Sequence, residues 1–162
     1  MNKHQTNILV SFTGALHELD AVMEPVTEDQ LDWTARDGGW SIRQVLHHLA
    51  EDGNVYTFII ERALATPGCK VFFGGFPGNE AWADSLGYDQ RPITSAWDLL
   101  HAQNQFISEL VSRFPDRWDN PAGFYNEAGE MLTEMTVEKM ITMLTDHMDE
   151  HTDMIKTILT AH

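Results

Sequence analysis

The sequence predicts an all-α protein, a four-helix bundle built as a single domain over residues 1–162 with long loops between helices two and three and between helices three and four. Two observations carry this. Four stretches repeat apolar residues at three- and four-residue spacing, the first three of them ending at proline, and no strong strand alternation interrupts them. At 162 residues with 43% hydrophobic and 22% charged content, the chain is long enough to bury one core without staples.

The first helix is expected over about residues 3–24, where Ile8, Phe12, Ala15, Leu16, Leu19 and Met23 share a face and Pro25 ends the pattern. A polar connection follows through Thr27, Leu31 and Trp33 to Asp37-Gly38-Gly39. Ser41 caps helix two, expected over about 42–64 and stopped by Thr66-Pro67-Gly68. Gly53 in its middle weakens it by about 1 kcal/mol relative to alanine, which points to a close approach there.

Residues 69–92 are rich in glycine and proline and read as a long connection with a short helix around 79–86; ordered loops of this length tend to be functional. Helix three starts after Thr94 or Ser95 and closes at Pro115. Between 116 and 135, Phe124 to Glu130 suggests a small hairpin turning at Ala128-Gly129. Helix four runs from near Thr136 to about Leu159.

Acidic residues outnumber basic ones 25 to 10, a formal charge of −15, so nucleic acid and anionic membrane surfaces are poor partners. The single cysteine, Cys69, rules out an intramolecular disulfide and is compatible with a cytoplasmic location. No apolar run approaches the roughly 18 residues of a membrane span, and the start of the chain leads into an amphipathic pattern rather than an export signal.

At about 100° per residue, His147 and His151 fall inside the apolar stripe of helix four, one turn apart on one face, the arrangement two imidazoles need to reach one ion. Each buried neutral ring needs partners for both nitrogens, and an ion that accepts one nitrogen from each meets part of that need. On helix two, His48 lies on the flank shared with Asp52, close to Val45 and Tyr56, whereas His47 sits nearly opposite the apolar centre and reads as solvent-exposed. Glu51 reads as a contributor of charge only, further toward solvent. Asp52 is the candidate catalytic group, able to orient an imidazole, add a fourth ligand or act as a base; an exposed ion-paired carboxylate is the plainer alternative. Tyr56 could hydrogen-bond a substrate or pack in the core, and Gln103 could reach the site or satisfy a buried backbone group. Trp82 and Phe76 are candidates for a pocket mouth. His4, His17, His101 and His162 lack convergent spacing and read as surface residues.

The run Trp40-Ser41-Ile42-Arg43-Gln44-Val45-Leu46-His47-His48-Leu49-Ala50, joined to His147-x-x-x-His151, resembles the DinB-like superfamily, above all its YfiT-like, bacillithiol-transferase-related branch. Asn79-Glu80-Ala81-Trp82, Phe124-Tyr125 and Leu132-Thr133 extend the likeness over most of the chain. The resemblance implies a divalent ion, zinc or nickel, held by His48, His147 and His151, with an open coordination position. It implies first a thiol S-transferase, in which the ion activates the thiol of a small cosubstrate to attack an electrophile. The alternatives are a hydrolase using metal-bound water, or a non-catalytic metal-binding or interaction protein. Asp52 and Gly53 depart from the residues relatives often carry, which touches substrate contacts rather than the metal. A homodimer is compatible with the family, although the helical patterns isolate no spare apolar face.

Overall fold

A computed structural model describes residues 1–35 and 39–162. Four long helices form the bundle: α1 (Lys3–Met23), α2 (Ile42–Ala65), α4 (Thr94–Ser112) and α5 (Val137–Thr160), with the short α3 (Asn79–Ser85) between α2 and α4. The helices expected as three and four are therefore α4 and α5. Local chemistry explains the starts. Asn2 with Gln5 and Ser41 with Gln44 form reciprocal capping boxes on α1 and α2, and the Thr136 side chain accepts from the Lys139 amide at the start of α5.

In the bundle α1 packs against α5 and α4, and α2 packs against the same two helices, so α1 and α2 sit diagonally. The chain must cross the end of the bundle between them. A 3₁₀ turn over Glu28–Asp32 lies on this path, and the buried Arg43 guanidinium ties it to α2 by donating to Glu28 at 2.8 Å and Asp32 at 2.7 Å. The expected Asp37-Gly38 part of this connection lies outside the described residues.

The all-α expectation needs correction: a three-stranded sheet closes one end of the bundle. Its strands are β1 (Cys69–Phe72), β2 (Pro121–Tyr125) and β3 (Met131–Thr136). β2 and β3 are antiparallel and form the expected hairpin, with Gly129 at φ 81° in its turn, a left-handed conformation glycine adopts without a Cβ clash. β1 was hidden in the connection after α2. It alternates buried and exposed residues over only four positions and pairs in parallel with β2, Cys69 opposite Ala122, a partner some fifty residues away that no local pattern can announce.

The core has two apolar clusters. One, toward the sheet, contains Ile59 and Ile60 of α2 and Leu144 of α5; the other contains Leu46 and Leu49 of α2 and Met148 and Ile155 of α5. On α5, His147 falls between Leu144 of the first cluster and Met148 of the second, while His48 and His151 lie along the stretches of α2 and α5 that carry the second. Gly53 is where a neighbour comes close: a Cβ there would collide with the Gln103 side chain. No helix among the described residues is long and apolar enough to cross a membrane.

Candidate metal centre

α2 and α5 bring His48, His147 and His151 together. One nitrogen from each ring lies within 4.8 Å of the others, and the ring centroids are 5.0 Å apart for His48 with each of the other two and 4.5 Å for His147 with His151. The edge of Trp40 packs on His48 at 4.9 Å, which closes one side. His48 is 5% exposed; His147 and His151 are partly buried.

Burial shapes the electrostatics. It pushes the His151 pKa down to about 4, helped by the neighbouring His147 and His48. His48 is lowered for the same first reason, with Asp52 opposing and His147 adding to the effect. These two rings are therefore neutral at pH 7 and offer lone pairs, the form in which imidazole binds metal. His147 Nε2 and His151 Nδ1 are buried and have no hydrogen-bond partner. Two orphaned nitrogens facing a third imidazole are costly in a finished core and suit a cation that accepts nitrogen ligands. The donor set fits a zinc- or nickel-like ion.

Asp52, one turn after His48, joins the cluster. Its Oδ2 lies 3.2 Å from His147 Nε2, without the alignment of a hydrogen bond, and 3.7 Å from His48 Nε2. Its side chain is 35% exposed, so it faces the histidines and solvent at once. That solvent is a cleft of about 720 Å³, and His48, Asp52, Tyr56, Phe76 and Trp82 all line it. The loop aromatics thus stand at the mouth as expected. Gln103 instead serves the backbone, donating from Nε2 to the Ala50 carbonyl at 3.1 Å.

Two readings of α2 are overturned. His47 is 1% exposed, not on the surface. Its Nε2 donates to the Arg91 carbonyl at 3.2 Å and its ring tilts over Tyr88 at 5.4 Å. The segment between β1 and α4 folds over the side of α2 that the helical wheel marks as outer, and a wheel knows nothing of such a cover. Glu51 does more than add charge for the same reason: it accepts from Trp82 Nε1 at 2.8 Å and from Arg91 at 3.1 Å. Burial pushes its carboxyl upward, but hydrogen bonds from Trp82, Tyr88 and Arg91 outweigh this and hold it below the usual range. Only the pairing of an acid on α2 with Trp82 and Arg91 some thirty to forty residues later could have signalled it.

A sequence profile of the DinB superfamily matches residues 11–155. The chain belongs to the DinB superfamily. Within it, the likeness is to the YfiT-like branch. YfiT of Bacillus subtilis, named as a candidate metal-dependent hydrolase, is 53% identical over 118 residues, 72% of this chain and 64% of that protein. A Bacillus licheniformis protein with the same description is 49% identical over 148 residues, 88% of this chain and 77% of its own length. An Oceanobacillus iheyensis protein, also so described, is 27% identical over 114 residues, 65% of this chain and 62% of that protein. The chain spans just under two thirds of the length of the YfiT and Oceanobacillus proteins. The solved structure of YfiT, described as an unusual four-helix bundle topology, superposes with a TM-score of 0.77 over 99% of this chain and 87% of that one. Identity over that superposition is 22%, from a different pairing of residues than the sequence match, so the superposition speaks for the fold and the sequence match for the family.

Proposed function

We propose that this chain is a metal-dependent hydrolase in which His48, His147 and His151 hold a divalent ion and Asp52 handles the proton of the attacking water. The observation that carries the reading is the convergence of three imidazole nitrogens within 4.8 Å, two rings with buried unpartnered nitrogens, beside a carboxylate open to a cleft. A zinc- or nickel-like ion, when bound, supplies Lewis acidity for polarising a carbonyl and for making water acidic.

The chain's own groups do the rest. Burial keeps His48 and His151 neutral, so they remain ligands rather than cations at pH 7. Asp52, 3.2 Å from His147 Nε2, stands within one water of the cluster and can take a proton from a water in the cleft. Trp40 packed against His48 shields that ring from solvent. Relatives described as metal-dependent hydrolases favour this chemistry over the thiol-transfer expectation, which no relative's description supports. Cys69, buried at the start of β1, is in any case no source of a transferable thiol.

The test is hydrolysis of a panel of esters and amides by tag-free, metal-loaded protein. Asp52→Asn should keep the metal and lose about 10²-fold or more in kcat, the usual scale of a general base. An unchanged kcat in Asp52→Asn would remove the proposed base. No metal-dependent hydrolysis, with metal-dependent conjugation of a small thiol to monochlorobimane instead, would return the protein to the transferase reading.

A further inference from the structure

Six large apolar side chains stay exposed around the cleft that His48 and Asp52 line: Val55 of α2, Phe72, Phe73, Phe76 and Trp82 from β1 to α3, and Leu99 of α4. In a chain of formal charge −15, such a gathered patch calls for an occupant. The rings are held before any ligand arrives. Phe73 stacks on Phe124 at 6.0 Å, Phe72 leans on Tyr125 at 5.5 Å, Phe76 meets Trp82 at 5.7 Å, and Trp82 is pinned to Glu51 at 2.8 Å. A preformed wall of this kind loses little entropy on binding. The volume, about 720 Å³, is that of a small-molecule site.

We propose that this wall is a selectivity site for an aromatic, uncharged group of the substrate, lying beside the bond that faces Asp52 and His48. Calling the occupant a substrate rests on the hydrolase reading; the preference for an aromatic group does not. The continuity of the patch with His48 and Asp52 argues for a substrate rather than a second protein. Charge narrows the group further. Arg91 is the only lysine or arginine lining the cleft among the described residues, and it is already committed to Glu51 at 3.1 Å and lies over the Tyr88 ring. A carboxylate at the aromatic end would therefore be desolvated without a partner.

The experiment measures dissociation constants for N-benzylacetamide, N-methylacetamide and N-(4-carboxybenzyl)acetamide on the full chain, with and without metal, by NMR titration. The benzyl compound should bind at least about tenfold tighter than either of the others, and Phe76→Ala should weaken it about tenfold while leaving metal content and thermal melting unchanged. Leu99→Arg, on the exposed face of α4, should raise affinity for the carboxylated compound and reverse the preference. Equal binding of the benzyl and methyl compounds, no effect of Phe76→Ala, or a stable dimer that buries the patch and excludes the ligands would each overturn the proposal. If the ligands bind in the expected order but metal-loaded protein hydrolyses no ester or amide, the hydrolase reading fails and the selectivity site stands. Hydrolysis with no aromatic preference removes the selectivity site and leaves the hydrolase reading in place.

Discussion

Acidifying the metal-free protein should expose the cost of burying His151. Its pKa is about 4 in the folded chain against 6.5 for an unperturbed ring, because burial, then the neighbouring His147 and His48, disfavour the charged form. Above pH 6.5 the ring is neutral in both states and contributes no pH dependence. As pH falls from 6.5 toward 4, the unfolded chain takes up the proton and the folded one does not, so stability falls; below 4 both forms are charged and the slope vanishes. At 1.36 kcal/mol per pH unit the whole window is worth at most about 3 kcal/mol, less some relief because the ring is only partly buried. Urea unfolding in a chelator from pH 7.5 to 4, for wild type and His151→Gln, measures it as a difference, which cancels the carboxylates that also titrate there. The gap in stability between the two should shift by up to about 3 kcal/mol in favour of the variant on going from pH 7 to 4. A difference that stays flat to pH 4.5 would refute the buried, neutral ring and with it the claim that the site holds its ligands ready. His48, lowered in the same direction, should behave alike.

Two further outcomes follow from the same geometry. A divalent ion at about 100 times its dissociation constant should raise the unfolding free energy by about 2.7 kcal/mol, and His147→Ala should abolish both this gain and the stoichiometric metal found by elemental analysis. In α2, Gly53→Ala should stabilise the Gln103→Ala protein by about 1 kcal/mol through helix propensity. With Gln103 in place the new methyl displaces a buried side chain and its bond to the Ala50 carbonyl, so the same change should be about 1 kcal/mol or more less favourable; a urea double-mutant cycle with zero coupling would contradict the contact.

The helices were legible because their causes are local. Capping pairs at Asn2 and Ser41, the apolar stripes, and stops at Pro25, Pro67 and Pro115 lie within a few residues of what they control. His147 and His151 were legible for the same reason, as one turn of one helix. Choosing His48 over His47 needed the family likeness as well as the wheel, which put His48 only on the flank shared with Asp52 and was wrong that His47 faces solvent.

Sequence by itself determined the four amphipathic helices, the paired imidazoles of α5 and the acidic balance, because each is set by neighbours along the chain. Tertiary structure alone decided that β1 joins β2, that the segment from β1 to α4 buries His47 and recruits Glu51, and that a wall of aromatic rings opens onto His48 and Asp52. Those contacts join residues tens of positions apart. Their free energy appears only when the bundle closes the distance, so no window read along the chain contains both partners.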